Sequence, residues 1–465
     1  MAVGVQVSST LDSRTRSEIE SEVIADYRAS SPRSSALHEA ARRVMPGGDT
    51  RTVAFHAPYP LVISEGQGCR IRDADGRTYI DLLNNYTSLI HGHSHPAVVA
   101  AVAERLPHGT AFPAPNEAQT RLAEIIVDRV ASVDLMRFCN SGSEAVMNAL
   151  RAARAFTGRD LIVKMEGGYH GTYDDVEVSV RPDPLDPASG PDHAPVGVLG
   201  TRGVPADTTD NVVVTPLNDI DAVERLMRER GQEVATVIVE PVMGSAGMLP
   251  ADRPFLEALR VLTLENDALL IFDEVMSFRL EPGGMQQHYR VRPDLTTFAK
   301  IIGGGFPVGG FGGRASVMEQ FDPLRPAPLW QSGTFNGNLI TMVAGVAAME
   351  EYTPAEVDRI NALGERLRGG LRVALQDADV PATVTGYGSF AGVHLGATAV
   401  HTYRDAARTD KGLARLLHLA LLLEGIFVAP RLTMCTSTPM DEATIDEVLA
   451  SFRRAISVIR PALAA

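Results

Sequence analysis

Short runs of apolar residues recur through the middle of the chain, separated by longer stretches with helical spacing. The runs cover residues 135–138, 161–164, 211–215, 235–239 and 268–272. Continuous apolar runs of this length are typical of strands that are covered on both faces. Helical patterns lie between them at residues 143–156 and 218–230, the second with Asn218 as a suitable N-cap. This alternation of strand and helix predicts an α/β fold with a mainly parallel sheet.

The two ends of the chain carry different patterns. Residues 1–35 are polar and predict a loose helix and a tail, and residues 71–82 predict a hairpin. The apolar helical pattern at 413–423 is too short to span a bilayer, so we expect a packed amphipathic helix. The predicted regions are an N-terminal segment (1–80) that contributes to a small domain, a large domain (81–340) and a C-terminal small domain (341–465).

A stretch rich in Pro, Gly and Asp interrupts the alternation at residues 181–210. A loop of this length inside a compact domain is usually functional or mobile. A tolerated surface insertion and a lid over a binding site both fit the sequence.

Composition excludes several classes of protein. The chain has 43 basic and 57 acidic residues among 465, a net charge of −14, which disfavours binding to nucleic acid or to an anionic membrane. Its three cysteines, Cys69, Cys139 and Cys435, are far apart and predict neither a disulfide framework nor a zinc site. The N-terminus has no basic start followed by an apolar run. We therefore expect a cytoplasmic protein.

The residues that follow the predicted strands carry the candidate chemistry, because ligands of open parallel sheets bind at the carboxyl ends of strands. Asn140-Ser141-Gly142-Ser143 opens a helix, and fits either a phosphate site or a simple helix cap. Tyr169 and His170 lie in a glycine-rich turn that could stack on a flat ligand or be merely structural. Asp273 ends a buried strand, where an unpaired carboxylate is costly.

Only three lysines are present, at positions 164, 300 and 411. Lys300 stands in an apolar context and runs into seven glycines, at positions 303, 304, 305, 309, 310, 312 and 313. Burial lowers the pKa of a lysine and makes its amine available as a nucleophile or base. We interpret the glycines as backbone that passes close to a ligand.

Together these residues form a set that pyridoxal phosphate requires. The cofactor needs a phosphate anchor, a stacking group, a carboxylate for the pyridine nitrogen and a Schiff-base lysine. The motifs NSGSEA, GGYHG, VIVEPVMG, LLIFDEVM, FAKIIGGGFPVGGFGGR and QSGTFNGN resemble those of class III, fold type I aminotransferases. Within that family the chain is most similar to glutamate-1-semialdehyde aminomutases and β-phenylalanine aminotransferases, over roughly residues 40–460.

The resemblance implies a fold type I architecture, with a large domain around a mainly parallel seven-stranded sheet and a smaller α+β domain. It also implies the role of each site residue. Lys300 would bind the cofactor through a Schiff base and act as the catalytic residue. The implied cofactor contacts are Asp273 at the pyridine nitrogen, Val275 and Tyr169 on the ring faces with His170 beside them, and Gly142 and Ser143 at the phosphate.

Thr334, in Ser332-Gly333-Thr334, resembles the threonine that reaches the phosphate of a neighbouring subunit. The resemblance therefore implies a homodimer with active sites at its interface. Glu240 is implied as a supporting group. His91, His93 and His95 occupy alternate positions, a spacing that could bind a metal ion. We expect instead a structural turn, with Pro96 opening a helix, and no metal.

Two arginines bear on the reaction. Arg51 follows a glycine turn and Arg431 lies in APRLT; both resemble arginines of the β-amino acid aminotransferases that bind carboxylates. The expected function is therefore transfer of an amino group from an amino acid, first a β-amino acid, to a keto acid such as 2-oxoglutarate or pyruvate. The alternative is an aminomutase of the glutamate-1-semialdehyde type, or a racemase or epimerase. The length of the 181–210 segment favours the aminomutase. A pseudoenzyme is disfavoured by intact Lys300 and Asp273.

Overall fold

The computed structural model describes residues 15–463, and its centre is a seven-stranded sheet with the strand order β4-β12-β11-β10-β7-β5-β6. The strands, in chain order, are β1 (Ile63–Gln67), β2 (Arg70–Asp73), β3 (Thr78–Asp81), β4 (Leu135–Cys139), β5 (Leu161–Met165), β6 (Val212–Thr215), β7 (Val234–Val239), β8 (Val242–Met243), β9 (Leu249–Pro250), β10 (Leu269–Asp273), β11 (Leu295–Ala299), β12 (Gly309–Gly313), β13 (Ala382–Thr385), β14 (Phe390–Leu395), β15 (Ile426–Phe427) and β16 (Thr433–Cys435). The expected α/β fold with a seven-stranded sheet is confirmed.

Helices cover the sheet and form most of the remaining structure. Those with right-handed geometry are Arg16–Ser30, Pro32–Arg42, Pro96–Arg105, Glu117–Arg129, Gly142–Thr157, Ile220–Arg230, Arg253–Glu265, Met285–Tyr289, Ala315–Met318, Leu339–Glu351, Pro354–Asp377, Tyr403–Ala407, Lys411–Leu423 and Glu442–Ile459. Pro96 opens its helix as expected. Residues 1–14 of the predicted helix and tail lie outside the described residues.

All five predicted strands are present within one residue of their expected bounds. Strands β5, β6, β7, β10 and β11 run parallel, and only β12 in this sheet runs against its neighbours. The N-cap predicted at Asn218 is wrong by one residue. Asp219 accepts a hydrogen bond from the backbone N–H of Ala222, at 2.9 Å, while Asn218 adopts a positive φ of 67°.

The glycines of β12 lie where protein backbone comes close. A Cβ added at Gly309 would lie 2.0 Å from the carbonyl oxygen of Ser141, and one at Gly313 would lie 2.1 Å from that of Asp294. The backbone of β12 is therefore pressed against protein backbone on both sides. Contacts with protein backbone therefore explain the glycines of β12, and the passage of this backbone close to a ligand stays a prediction.

Segments from both ends of the chain share a second core. Ile19 and Tyr27 of the first helix pack with Leu417 of helix Lys411–Leu423 and with Phe452 near the C-terminus. The predicted hairpin is present as β2 and β3, and β15 pairs with β3 in parallel. The domain bounds 1–80, 81–340 and 341–465 stay a prediction.

The segment 181–210 contains only short 3-10 turns and is tied to a helix distant in sequence. Arg404 is buried and forms an ion pair with the buried Glu166, and it also donates to the carbonyl oxygens of Ser189 and Gly190, at 2.7 Å each. These contacts disfavour a loosely attached insertion. In the described part of the chain, no helix combines the length and apolar character needed to cross a membrane.

One buried histidine pair makes the second core sensitive to acid. His418 is fully buried, its ring lies 4.6 Å from that of His56, and neither of its nitrogens has a hydrogen-bond partner in the described structure. Burial lowers the pKa of His418 well below its usual value, and it lowers the pKa of His56 to about 4. Both rings are therefore neutral in the folded protein.

We predict that the free energy of unfolding falls as pH drops below about 6.5, because the unfolded state then binds protons that the folded core excludes. The loss approaches about 1.4 kcal/mol per pH unit for each histidine. Urea unfolding from about pH 7.5 to about pH 5 measures it. A His418→Leu variant should show a shallower pH dependence, and an unchanged slope would contradict this account.

Candidate active site

Four neighbouring parallel strands end at one edge of the central sheet, and each delivers candidate site residues. Asp273 is the last residue of β10, and Lys300 directly follows β11. Glu240 directly follows β7, and the turn with Tyr169 and His170 follows β5. Because these strands are adjacent and parallel, the sheet brings the four groups to the same edge.

The expected phosphate turn opens the helix Gly142–Thr157. Ser141 is its N-cap, and its hydroxyl accepts from the backbone N–H of Glu144 at 3.2 Å. Ser143 lies in the first turn, and its hydroxyl accepts from the backbone N–H of Thr172 at 3.1 Å. Ser141 is thus the residue that caps the helix, and the role of Ser143 at a phosphate stays a prediction. The helix dipole and the free N–H groups at this end favour a phosphate.

Asp273 is almost completely buried and satisfied by three donors. Its Oδ1 accepts from the Val275 N–H at 3.1 Å and from the Thr297 hydroxyl at 2.9 Å, and its Oδ2 lies 2.7 Å from Nδ1 of His170. Val275 also packs against Gly142, where an added Cβ would lie 3.2 Å from a Val275 methyl. The site therefore holds a carboxylate beside the phosphate turn.

Tyr169 and His170 differ in their surroundings although they are adjacent. Tyr169 is 42 % exposed, and its backbone N–H donates to Glu240 at 2.9 Å. His170 is buried against Asp273, and its Nε2 has no partner within residues 15–463. Burial raises the pKa of Glu240, which also accepts from the Gly244 N–H at 3.1 Å. Glu240 thus fixes the turn that carries Tyr169.

Lys300 begins a 3-10 turn with a positive φ of 53°. Burial lowers the pKa of its amine and Arg431 lowers it further, whereas Asp273 and Glu240 raise it. In the described structure the amine takes part in no hydrogen bond or ion pair. A lysine with a lowered pKa and a free amine is suited to act as a nucleophile or base.

Lys164 shows that an apolar context does not distinguish the lysines by itself. It is 0 % exposed, and burial lowers its pKa to about 7. Its amine, however, donates to the carbonyl oxygens of Gly168 at 3.0 Å and Val178 at 2.7 Å. An apolar context is therefore shared by both lysines, and what separates them is that the Lys164 amine is satisfied by protein carbonyls.

The two arginines chosen from the sequence approach one aromatic residue. Arg51 is exposed, donates to Asn85 at 2.8 Å and lies 5.9 Å from the ring centre of Tyr86. Arg431 is half-buried; its Nε is fully enclosed and without a partner in residues 15–463. Burial lowers the pKa of Arg431, and Tyr86, Glu240 and Tyr169 oppose that shift.

Sequence reasoning missed two parts of this region. Residues 84–87 form a single left-handed turn, with φ of 48°, 48°, 55° and 75°, which is strained for residues other than glycine. Arg181 is the second: its charge acts on Tyr86, Tyr169 and Arg431. The asparagines of NNYT were the available signal for the turn, since Asn tolerates this conformation best.

Thr334 lies on an exposed turn and has no hydrogen-bond partner in residues 15–463 of this chain. The turn adjoins the phosphate turn, because Asn140 donates to Asn336 at 2.8 Å.

The histidines of HGHSHP do not converge on one point. His91 contacts the carbonyl oxygen of Ala348 at 2.8 Å, and His93 contacts Asp81 at 2.7 Å. Within the described residues, no group of three or more His, Cys, Asp or Glu side chains could hold a metal ion.

Comparison with known proteins identifies the family. The sequence profile described as aminotransferase class III matches residues 53–456. The chain belongs to the class III aminotransferases. A glutamate-1-semialdehyde 2,1-aminomutase of Methanothermobacter thermautotrophicus is 41% identical over 404 residues, which cover 87% of this chain and 93% of the relative.

Solved structures of related enzymes have the same fold. An omega-transaminase from Sphaerobacter thermophilus superimposes with a TM-score of 0.89 at 46% identity, covering 92% of this chain and 98% of that one. A β-phenylalanine aminotransferase from Variovorax paradoxus gives 0.86 at 37% identity, covering 96% and 98%. This class III aminotransferase is therefore a pyridoxal-phosphate enzyme of fold type I. The names of the sequence relatives favour the aminomutase alternative over the β-amino acid transaminase.

The residues present fit the cofactor. The free amine of Lys300, the buried carboxylate of Asp273 and the open helix N-terminus at Gly142 supply the three kinds of group that pyridoxal phosphate needs.

We predict that Lys300 carries the cofactor, because its amine is free whereas that of Lys164 is bound by two carbonyls. Borohydride reduction of the holoenzyme followed by peptide mapping should find the pyridoxyl group on Lys300. A Lys300→Ala variant should lose this label, and a Lys411→Ala variant, altered at an exposed lysine, should keep it. Label on Lys164 or Lys411 would contradict the assignment.

Proposed function

We propose that this class III aminotransferase moves an amino group from an amino acid, with a β-amino acid as the first donor to test, to a keto acid such as 2-oxoglutarate or pyruvate. The observation that carries the proposal is the enclosed Nε of Arg431, which has no partner in the described structure, together with the effect of the Arg431 charge on Lys300 and Tyr169. An enclosed charge without a partner is unfavourable until an anion binds to it. A substrate carboxylate is such an anion, and it matches the fork of an arginine.

The cofactor would be held by residues at the ends of three strands, β4, β5 and β10. Gly142 and Ser143 would bind its phosphate, Asp273 would hold a proton on the pyridine nitrogen, and Val275 and Tyr169 would cover the two ring faces. His170 would keep Asp273 oriented through their 2.7 Å contact. When bound, pyridoxal phosphate supplies a ring that takes up the electron pair left when the substrate loses a proton.

Lys300 would move that proton. Its lowered pKa increases the fraction of neutral amine near neutral pH, so its Nζ can take the proton from the amine-bearing carbon of the substrate. The carboxylates of Asp273 and Glu240 then stabilise the ammonium that forms. Arg51 and Arg431 would orient the substrate through its carboxylates, so that this carbon faces Lys300.

A second candidate is the intramolecular aminomutase, supported by the names of relatives about 41% identical to this chain. Such an enzyme returns the amino group to the same carbon skeleton and releases no keto acid. The omega-transaminase and the β-phenylalanine aminotransferase, at 46% and 37% identity, support transfer between two substrates.

A panel of α- and β-amino donors with 2-oxoglutarate or pyruvate as acceptor tests the function. We expect keto acid release from at least one β-amino acid, and 2-oxoglutarate to be used. Conversion of glutamate-1-semialdehyde without net keto acid release would favour the aminomutase.

In the same assay, Arg431→Ala should impair 2-oxoglutarate more than pyruvate, because only the former has a second carboxylate. Losing a charged hydrogen bond of roughly 1.5–3 kcal/mol predicts a loss of about 10- to 150-fold in kcat/KM. Arg51→Ala should impair every amino donor whose carboxylate lies on the Arg51 side of the cofactor ring, whatever side chain the donor has. Arg228→Ala, on an exposed helix face, is the control. An unchanged preference between the two acceptors would make Arg431 structural.

We also propose a cytoplasmic homodimer in which Thr334 completes the partner's phosphate site. Trp330 and Phe335, on either side of Thr334, are 80 % and 58 % exposed. A cavity of about 590 Å³ lined by Gly333, Asn336 and Gln119 opens beside them. Exposed aromatic side chains next to a cavity are typical of a surface that a second subunit covers.

We predict a dimer by light scattering, instead of the 49.8 kDa monomer. Thr334→Val should weaken cofactor retention by about tenfold or more without dissociating the dimer, since only one hydrogen bond to the phosphate is lost. Thr201→Val, in an exposed loop, is the matched control. A fully active monomer at low concentration would contradict the shared site.

A further inference from the structure

A buried ion pair holds the first residue of the turn that carries Tyr169 and His170. Glu166 directly follows β5 and is 2 % exposed, and its partner Arg404 is 3 % exposed. Nε and Nη2 of Arg404 each donate to one carboxylate oxygen of Glu166, both at 2.8 Å. A bidentate pair of this kind fixes the orientation of the carboxylate as well as its position.

The guanidinium of Arg404 uses all five of the N–H donors that an arginine has. Two bind Glu166, and the other three donate to the carbonyl oxygens of Ser189 and Gly190, at 2.7 Å each, and to the carboxylate of Asp192, at 3.0 Å. A charge in the interior is stable only when it is paired and hydrogen-bonded. The position of this guanidinium is therefore set by two segments of the chain at once.

Tyr403, which precedes Arg404, closes on the second residue of the turn. Gly167 has a positive φ of 78°, and a Cβ added to it would lie 2.1 Å from the Tyr403 ring. The first two residues of the helix Tyr403–Ala407 thus contact the first two residues of the turn, since Arg404 pairs with Glu166 and Tyr403 packs on Gly167.

The Glu166 carboxylate depends on this arginine. Within residues 15–463, Arg404 is its only hydrogen-bond or ion-pair partner. Without Arg404, a buried negative charge would be left unpaired, which is strongly unfavourable. The Glu166 side chain would then move toward water, and the backbone that leads into the turn would move with it. Tyr169 follows three residues later, so the displacement reaches its hydrogen bond to Glu240.

We propose that Arg404 is a positioning residue for the cofactor site, because through Glu166 it fixes the turn that carries Tyr169 and His170. The inference rests on the proposed function, in which Tyr169 covers a face of the cofactor ring and His170 orients the carboxylate at the pyridine nitrogen. Arg404 lies 238 positions from Glu166 in the sequence, outside the motifs that mark the site.

Hydrogen exchange of the full chain, measured with and without pyridoxal phosphate, reports on the turn directly. The backbone N–H groups of residues 167–169 donate to protein acceptors and exchange only when the turn opens. The variants are Arg404→Gln and Arg404→Lys. Arg408→Gln is the matched control, because Arg408 also donates to Asp192 but forms no hydrogen bond with Glu166 in the described structure.

We expect Arg404→Gln to speed exchange at residues 167–169 about tenfold or more, and to weaken cofactor affinity, read from the absorbance of the bound cofactor, about tenfold. In the loaded enzyme kcat should fall by about 10- to 100-fold, because a small misplacement of a site residue is enough for such a loss. The KM of the amino donor should stay nearly unchanged. Arg404→Lys should fall between wild type and Arg404→Gln, since it keeps the charge but lacks the fork.

A variant without either charge separates positioning from stability. Glu166→Gln combined with Arg404→Met leaves no buried charge unpaired, so it should recover most of the resistance to urea that Arg404→Gln loses. Its exchange at residues 167–169 and its cofactor affinity should stay impaired, because the bidentate contact is still missing. Recovery of all three properties together would show a purely structural pair and would overturn the proposal.

Exchange at the turn of Arg404→Gln as slow as in Arg408→Gln would also overturn it. So would equally faster exchange in the helix Glu442–Ile459 of the double variant, which would show a general loss of structure. Faster exchange confined to the turn, with unchanged cofactor affinity, would retain Arg404 as the support of the turn and refute the proposed contacts of Tyr169 and His170.

Discussion

The burial of the Asp273 carboxylate is the constraint on which the candidate site depends. A carboxylate in the interior is unfavourable unless hydrogen bonds replace its hydration. Three donors come from three different segments: His170 after β5, Val275 after β10 and Thr297 within β11. Val275 is two residues from Asp273 in the chain, whereas His170 and Thr297 reach it because β5, β7, β10 and β11 are neighbours in the sheet. The same arrangement places Lys300, which follows β11, at that edge.

The charges around the site oppose the charge of the whole chain. The protein carries a net charge of −14, yet Arg51, Arg181 and Arg431 all act on Tyr86. Of the carboxylates in the candidate site, Asp273 accepts hydrogen bonds from three donors and Glu240 accepts from two backbone N–H groups. The electrostatic potential inside a cleft, rather than the net charge of the protein, decides which small ions the cleft attracts.

The central sheet and its strand-end residues could be predicted from the sequence, because both are local signals. A continuous apolar run predicts a buried strand, and the polar residue after it falls at the sheet edge. Asp273, His170 and the Gly142 turn follow that rule. The reason for the β12 glycines could not be predicted, since it depends on strands that pack against them from elsewhere in the chain. Arg181 was missed for the same reason: its position depends on Tyr403 and Arg404, more than two hundred residues away.

Lys164 and Lys300 show why burial alone does not identify a reactive amine. Burial lowers the pKa of both amines. Lys164 lies near the end of β5, and Lys300 directly follows β11. Lys164 donates to two carbonyl oxygens on the turn after β5, so its amine is used to hold the segment that leads to Arg181. Lys300 donates to no group in the described structure. A buried amine becomes available for chemistry only where the surrounding backbone leaves it without acceptors, and here that condition separates the structural lysine from the candidate catalytic one.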